Sequence, residues 1–277
     1  MVQTIRINSV KGIIRLLMNS EYNEEIKRTR SNYLYRGLLN KDYRLVTSLW
    51  RNCKDKGKEL EKSLLRNFRK YALVDNAMFD DSVWTQLTIG QHHGLPTRML
   101  DWTYSPLMAL NFAVSEPSFE DLPKHDCAIW AVDISEMNSL LPRLYQAELE
   151  KQKAYFFTID MLDGITDNLD KYDDDMRNIV SDGKVEGHSA MVLLEPPSID
   201  QRIINQYSYF SIVPHDMNDI EAFLEENTKK TKRYIISKEI RWEIRDLLDT
   251  LNINERIVYP GLDGVAAWLK RHYYVKH

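Results

Sequence analysis

The hydrophobic residues of the chain follow two spacings, and each spacing predicts a different kind of element. Short apolar runs rich in β-branched and aromatic residues predict strands over residues 33–38, 127–134, 209–213 and 233–236. Apolar residues three or four positions apart predict helices over residues 54–71, 78–89, 140–153 and 237–251. Strands and helices are therefore interspersed along the chain.

Residues 91–114 form the most distinctive stretch and read QHHGLPTRMLDWTYSPLMALNFAV. The Gly-Leu-Pro segment predicts a turn, and residues 97–102 predict a short extended run. Ser105 is placed to cap a helix that has Pro106 at its first position, where the missing N–H is not needed. From there to residue 114 only Asn111 is polar, so this helix is predicted to be buried on all sides.

Two charged residues of this stretch, Arg98 and Asp101, lie just before the predicted buried helix. Side chains alternate along a strand, so these two residues lie on opposite faces and cannot both point to solvent. An ionised group near a core must be paired or used in a site. Two interpretations follow. Arg98 and Asp101 form buried ion pairs that lock the core, with His92 and His93 as hydrogen-bonded turn residues, or the segment carries a functional site.

Composition and charge limit the class of protein. The 277 residues are 43% hydrophobic and 28% charged, and the formal net charge of -4 argues against a binding mode driven by neutralising nucleic-acid phosphates. Cys53 and Cys127 have no metal-binding spacing, which favours a reducing cytoplasm. No stretch approaches the roughly 20 apolar residues of a membrane span, and no apolar N-terminal core indicates a signal peptide. The acidic residues 163–175 lack the spacing of a calcium loop and predict a solvated loop.

The segment at residues 91–113 resembles the signature of FRG-domain proteins, which reads roughly Q-H-[YH]-G-L-P-T-R-L-L-D-W-T followed by S-P-L-x-A-L-x-F-A. Met99 stands where the family usually has Leu. The matching residues are Gln91, His92, Gly94, Leu95, Pro96, Thr97, Arg98, Leu100, Asp101, Trp102, Thr103, Ser105, Pro106, Leu107, Ala109, Leu110, Phe112 and Ala113.

An earlier segment carries the aromatic-Arg-Gly motif that gives the family its name. Tyr35, Arg36 and Gly37 match it, and Ser48 and Arg51 match the S-L-x-R that often follows. An Arg-Gly at the end of a strand marks a place where the backbone can come close to a ligand. An arginine in a surface salt bridge is the alternative interpretation for Arg36.

A later segment resembles a third family element, R-x-x-x-Q-x-x-x-F, through Arg202, Gln206 and Phe210. Ser208 stands where the family commonly has Gly. The closing P-x-L-x-G turn at residues 260–264 also resembles the family, so the likeness spans roughly residues 33–274. It predicts an FRG domain over residues 33–277 that forms one compact unit with an N-terminal strand and helix at residues 1–32.

FRG domains resemble ADP-ribosyltransferases, and this resemblance implies an α+β fold in which helices surround a split, mixed β-sheet that binds NAD as a substrate in a cleft. It further implies a bacterial or phage toxin or defence effector that transfers ADP-ribose to a protein or nucleic-acid acceptor. A guanidinium can bind a pyrophosphate through two hydrogen bonds, and small hydroxyls can contact a ribose. The implied catalytic residues are Arg36, Asp101 and Gln206. The implied NAD-binding residues are Tyr35, Arg36, Gly37, Gln91, His92, Thr97, Arg98 and Thr103.

Three functions stay open at this point, and the first is an NAD-using ADP-ribosyltransferase-like enzyme. Cleavage of the nicotinamide bond builds positive charge on the ribose, and a carboxylate about 4 Å away would stabilise it by about 4 kcal/mol at an effective dielectric near 20. Gln206 supplies no charge, so Asp101, or the more distant Glu195, is the candidate carboxylate. Without one, the protein is a nucleotide-binding or sensing module that does not turn NAD over. The third function is a nuclease or other hydrolase that uses His92, His93 and Asp101, with or without a metal.

Overall fold

The computed structural model describes residues 2–24, 26–72, 82–116, 118–121, 124–177, 180–181, 184–185 and 189–275. The strands are β1 Gln3–Ile7, β2 Glu21–Asn23, β3 Arg28–Arg30, β4 Tyr33–Leu38, β5 Met99–Thr103, β6 Cys127–Asp133, β7 Val180–Ser181, β8 Lys184–Val185, β9 Val192–Leu194, β10 Ser208–Ile212 and β11 Lys232–Ile236. The helices are α1 Ile14–Leu17, α2 Ser48–Cys53, α3 Gly57–Ala72, α4 Val83–His92, α5 Pro106–Ala113, α6 Ile134–Ser139, α7 Arg143–Gln152, α8 Ile159–Asp163, α9 Leu169–Arg177, α10 Gln201–Asn205, α11 Ile220–Asn227, α12 Arg241–Thr250, α13 Glu255–Val258 and α14 Leu262–His272.

Seven strands form one sheet in the order β1-β11-β6-β4-β5-β10-β9. The pair β1 and β11 is parallel, and the other neighbours are antiparallel, so the sheet is mixed, as the sequence predicts. β1 belongs to the N-terminal residues, and Ile5 pairs with Tyr234 of β11. The N-terminal strand is therefore hydrogen-bonded into the same sheet as the rest of the chain.

The sheet opens between its two central strands. β4 pairs with β6 along its whole length, but of the described pairs only Tyr35 with Thr103 joins β4 to β5. The strands therefore separate after that pair, where Arg36 and Gly37 face Asp101 and Trp102. This opening divides the sheet into a four-stranded part, β1-β11-β6-β4, and a three-stranded part, β5-β10-β9.

The hydrophobic core follows the same division. One face of the sheet carries a continuous cluster that includes Leu34, Trp130 and Leu193 and is covered by α6 and α11. The other face carries two separate clusters, one under α1, α5 and α12 and one under α3, α4 and the helices α7–α9. Burial of these apolar surfaces stabilises the fold at about 25 cal/mol per Å². The helices α4 and α5 thus flank the opening on the divided face.

The buried helix predicted after Ser105 is confirmed. The Ser105 side chain accepts a hydrogen bond from the Met108 N–H at 3.3 Å, and Pro106 occupies the first turn of α5. No residue from Pro106 to Val114 is exposed. An apolar helix packed from all sides is a rigid support for the neighbouring strand.

Three predictions need correction or a change of bounds. The extended run predicted at residues 97–102 becomes strand only from Met99. The helix predicted over residues 78–89 is α4, which begins at Val83, and its predicted start at Met78 lies outside the described residues. The solvated loop predicted at residues 163–175 is wrong, because α9 covers much of it and the Asp173 side chain is only 1% exposed.

Candidate functional site

A cleft of about 720 Å³ lies where the sheet opens between β4 and β5. Five chain segments supply its walls: β4, α2, the segment from α4 to β5, Phe112 of α5, and α10 with the residues that follow it. The lining residues are Tyr35, Arg36, Gly37, Ser48, Arg51, Gln91, His92, His93, Gly94, Leu95, Asp101, Trp102, Thr103, Phe112, Arg202, Gln206 and Ser208.

Arg36 spans the opening of the sheet. Its Nη1 donates to the backbone carbonyl of Asp101 at 2.5 Å and lies 3.6 Å from the Asp101 carboxylate. Burial lowers the pKa of Arg36, the charge of Asp101 opposes this shift, and Arg51 adds to it. The Arg36 Nε is buried and has no hydrogen-bond partner among the described residues. A buried donor without a partner is costly, so a ligand that accepts from it would gain binding free energy.

Asp101 is held in place by a chain of hydrogen bonds. Gln91 Nε2 donates to Asp101 Oδ1 at 2.9 Å, and the Thr97 hydroxyl donates to Gln91 Oε1. Because Thr97 needs an acceptor and Asp101 needs a donor, the two contacts fix the orientation of the Gln91 amide. The Asp101 side chain is nevertheless 59% exposed to the cleft and to solvent. It is a carboxylate with a fixed position and open access.

The third predicted element reaches the cleft through α10 and its end. Gln206 is buried, and its side-chain Nε2 donates to the Val258 carbonyl at 3.0 Å. The backbone carbonyl of Gln206 accepts from the Thr103 hydroxyl at 2.7 Å. Tyr207 then takes the left-handed backbone conformation with φ of 49° before β10 begins at Ser208. The resemblance places Gly at the position of Ser208, whereas in this turn the residue with the left-handed backbone conformation is Tyr207, one position earlier.

Three guanidinium groups line the cleft, and their charges are not balanced. Besides Arg36, the cleft contains Arg51 from α2 and Arg202 from α10. Neither of these two has a carboxylate partner within the described part of the chain, and Arg202 lies 5.5 Å from the ring centre of Tyr259. Among the described residues that line the cleft, Asp101 is the only one with a carboxylate. The site therefore favours an anionic ligand although the chain as a whole is acidic.

Gly37 is required by packing as well as by the cleft. A Cβ at this position would lie 2.1 Å from the carbonyl oxygen of Ala109 and 2.7 Å from the backbone nitrogen of Ala113. The backbone of β4 therefore touches the backbone of α5. The helix is fixed from the other side, because Arg245 Nη1 donates to the Asn111 side chain at 2.8 Å. This bond explains the single polar residue of α5.

Arg98 lies outside the cleft, in contrast to its predicted place among the NAD-binding residues. Its guanidinium binds Glu61 through Nε at 2.9 Å and Asp173 through Nη1 at 2.6 Å. The three side chains are buried. Burial lowers the pKa of Arg98, but the two carboxylates outweigh it and hold the pKa above its ordinary value. The buried ion pair considered as the alternative is therefore confirmed for Arg98, while Asp101 is exposed.

Thr97 also lies outside the set that lines the cleft and is fully buried. It acts on the cleft through Gln91. Its backbone carbonyl accepts from the Leu49 N–H at 3.0 Å, and its N–H donates to the Ser48 hydroxyl at 3.0 Å, which fixes the start of α2. Thr97 is therefore a positioning residue.

The contacts of His92, His93 and Glu195 bear on the hydrolase interpretation and on the choice of carboxylate. His92 Nε2 lies 2.5 Å from the Asp200 carboxylate, and the rings of His92 and His93 are 5.2 Å apart. Among the described residues no three His, Cys, Asp or Glu side chains are arranged to hold a metal ion. Glu195 contacts Tyr209 and does not line the cleft. His92 is thus paired with Asp200, a residue that the hydrolase interpretation did not include.

The cleft brings together Tyr35, Arg36, Gly37, Gln91, His92, Asp101, Thr103 and Gln206, as predicted. It also contains Arg51 and Arg202, which the prediction left out of the site. Arg51 is the last residue of the segment that resembles S-L-x-R, and Arg202 is the first residue of the segment that resembles R-x-x-x-Q-x-x-x-F. These two motif positions were the sequence signal that could have placed both arginines in the site.

Comparison with known proteins adds a family to this geometry. Residues 31–121 match the model of the FRG domain, and this range contains Arg36, Arg51, Gln91 and Asp101 but not Gln206. No curated protein and no solved structure matches the chain. No helix in the described residues is long and apolar enough to cross a membrane. The chain therefore contains an FRG domain over residues 31–121.

Proposed function

We propose that the cleft binds NAD or a related nucleotide and that the protein is an ADP-ribosyltransferase-like enzyme. The observation that carries the proposal is the convergence of Arg36, Arg51 and Arg202 on one cleft with a single lining carboxylate. A pyrophosphate is a doubly charged anion with oxygens on several sides, and guanidinium groups bind such oxygens in pairs. Three guanidiniums from three segments suit this group better than they suit a single carboxylate.

The size and the other lining groups suit the rest of a dinucleotide. A volume of about 720 Å³ lies within the usual range of ligand pockets, about 300–1,000 Å³. Phe112 provides aromatic surface for a base or nicotinamide ring, and Ser208 provides a hydroxyl for a ribose oxygen.

Asp101 is the group that we propose for the chemical step. The bond between the ribose and nicotinamide breaks with its electron pair leaving on nicotinamide, so positive charge develops on the ribose. A carboxylate about 4 Å from that charge contributes about 4 kcal/mol at an effective dielectric near 20, which is about three decades of rate. Asp101 has the exposure for this role, and Gln91 keeps its carboxylate in place.

Binding without turnover is the second candidate, and one observation favours it. The Asp101 carboxylate already contacts Gln91 and Arg36, and the Gln206 Nε2 is already bonded to the Val258 carbonyl. These contacts use part of the hydrogen-bonding capacity that a transition state needs. The protein would then sense a nucleotide and would not consume it.

Nicotinamide release from NAD separates the two candidates. We expect the wild-type protein to release nicotinamide and Asp101→Asn to release it about three decades more slowly, with NAD affinity changed little. Arg36→Gln should weaken NAD binding by about ten- to a hundred-fold, because one charge-assisted contact contributes about 1.5–3 kcal/mol. Arg44→Gln is the matched control, since Arg44 forms an exposed pair with Asp219 outside the cleft.

The outcomes are distinct. Saturable NAD binding without nicotinamide release supports the sensing module. Nicotinamide release that is equal in wild type and Asp101→Asn contradicts the role of that carboxylate. Absence of NAD binding by the wild-type protein contradicts both candidates.

A further inference from the structure

A second cavity of about 570 Å³ adjoins the cleft, and we call it the side cavity. His92 and Arg202 line both spaces, so they form the boundary between them. The side cavity is further lined by Asp200 at the start of α10, by Tyr259 and by Asp263 in the first turn of α14. A group that enters the side cavity therefore meets His92 before it reaches the cleft.

His92 has a fixed orientation at this boundary. Its Nε2 lies 2.5 Å from Asp200 Oδ2, and its side chain is 11% exposed. The other Asp200 oxygen accepts from the Ile203 N–H at 2.9 Å, so α10 holds the carboxylate. A proton on Nε2 would lie against the Asp200 carboxylate at this distance, and the lone pair of the neutral ring would then be on Nδ1. No hydrogen bond to His92 Nδ1 is formed within the described part of the chain.

We propose that His92, oriented by Asp200, is the general base that takes the proton of the ADP-ribose acceptor, which enters through the side cavity. The inference rests on the proposed transferase function. In the step, the bond from ribose C1′ to nicotinamide breaks and its electron pair leaves with nicotinamide. The acceptor atom bonds to C1′, and its proton moves to His92 Nδ1, which gives an imidazolium paired with Asp200. A carboxylate–imidazole pair that stabilises the imidazolium is a recurrent solution for this task.

The same geometry defines the acceptor class. A base is needed only for an acceptor atom that carries a proton, such as a hydroxyl or a side-chain N–H, and a carboxylate acceptor has none to lose. The carboxylates of Asp200 and Asp263 also face the side cavity and disfavour an anionic group there. Both arguments point to an uncharged or basic side chain of a protein. The net charge of -4 and the two carboxylates of the side cavity, against the one guanidinium of Arg202, disfavour a polyanionic nucleic-acid acceptor.

The base is tested with His92→Ala, assayed with and without free imidazole. At saturating NAD we expect transfer to fall by about 10²–10⁴-fold and added imidazole to restore part of it, because a missing base can be replaced in the space left behind. Asp200→Asn should also transfer more slowly than wild type. The control is His272→Ala, which removes an exposed histidine of α14 that lines neither cavity. Circular dichroism establishes that each variant is folded.

The acceptor class is tested in the same assay with labelled NAD and four probes. Three peptides of one scaffold carry a central Ser, Arg or Glu, and the fourth probe is a single-stranded oligonucleotide. Label on the Ser or Arg peptide supports the inference.

Label on the Glu peptide or the oligonucleotide overturns the inference, as does a His92→Ala variant that transfers at the wild-type rate or gains nothing from imidazole. Wild-type protein that releases no nicotinamide overturns the proposed function and the inference with it. Release that continues while transfer ignores His92 overturns the inference alone.

Discussion

Replacing Arg98 with Met is expected to destabilise the fold strongly, although Arg98 lies outside the cleft. The guanidinium is 4% exposed and binds Glu61 and Asp173, which are 2% and 1% exposed. The Asp173 Oδ1 also accepts from the His215 N–H at 3.0 Å. Removal of the cation leaves two carboxylates without their partner in a space closed to water. One partner removed from a buried pair costs about 3–5 kcal/mol.

That loss is a large share of a typical stability of about 5–15 kcal/mol. Equilibrium unfolding in urea, followed by circular dichroism, measures it directly, and the melting temperature should fall by on the order of 10 °C. The control is Arg44→Met, because Arg44 and Asp219 are 55% and 50% exposed and such a pair contributes about 1 kcal/mol or less. A second variant adds Glu61→Gln and Asp173→Asn to Arg98→Met.

The combined variant should recover part of the lost stability, because it removes the unpaired charges. An unfolding free energy for Arg98→Met within 1 kcal/mol of wild type would refute the reasoning. The reasoning would also be refuted if the unfolding free energy of the combined variant lay below that of Arg98→Met by more than the cost of two lost hydrogen bonds.

Three further predictions concern other parts of the chain. Gly37→Ala should cost about 3 kcal/mol or prevent folding, because the new Cβ would lie 2.1 Å from a carbonyl oxygen of α5, and urea unfolding measures it. Burial raises the pKa of Glu255, but hydrogen bonds from Arg271 outweigh it, and the net shift is downward. The charged Glu255 therefore stabilises the fold fully above the ordinary Glu pKa of about 4.3, and this stabilisation is lost as pH falls below that value. The unfolding free energy of Glu255→Gln, measured against pH, should therefore fall less on the acid side than that of the wild type. Thr97→Val should loosen the amide of Gln91 and weaken NAD binding about fivefold, a change of about 1 kcal/mol by calorimetry.

Controls make these three predictions specific. Gly164→Ala meets only ordinary contacts of 3.4 Å and should change stability by less than about 1 kcal/mol. A Gly37→Ala variant as stable as Gly164→Ala would contradict the close packing of β4 on α5. A Glu255→Gln variant whose stability falls with acid as steeply as that of the wild type would contradict the role of the bonds from Arg271 to Glu255. An unchanged NAD affinity in Thr97→Val would contradict the role of the bond from Thr97 to Gln91.

Much of the fold is predictable because its strongest local signals agree with its packing. The aromatic strand β4, the capped apolar helix α5 and the apolar strand β6 each combine a clear spacing with a clear end. The motifs also predict that Arg36, Asp101 and Gln206 lie in one cleft, and they do. Gln206 follows the end of α10, whereas Arg36 and Asp101 lie within β4 and β5 beside the opening of the sheet.

The partners of Arg98 are not predictable in the same way. Glu61 and Asp173 are 37 and 75 residues away in the sequence, and no local spacing connects them to Arg98. The acidic segment around Asp173 has the composition of a solvated loop, but a buried arginine makes a buried aspartate favourable and α9 forms. Long-range pairing of charges therefore decides between structure and loop where composition alone favours the loop.

The opening of the sheet is also a property of the assembled fold. Neither β4 nor β5 carries a Pro or a charge pattern that predicts separation after Tyr35 and Thr103. α4 and α5 pack on the two parts of the sheet on either side of this separation, which leaves the space of the cleft. Thr97 bonds to the first residues of α2, the helix that carries Arg51 into that space.

Titration of NAD into the protein by calorimetry tests the central claim most directly. The claim predicts saturable binding by the wild-type chain, about ten- to a hundred-fold weaker binding by Arg36→Gln, and wild-type affinity for the exposed control Arg44→Gln. Binding by Arg36→Gln that equals wild type, or no binding by any of the three proteins, would contradict the claim.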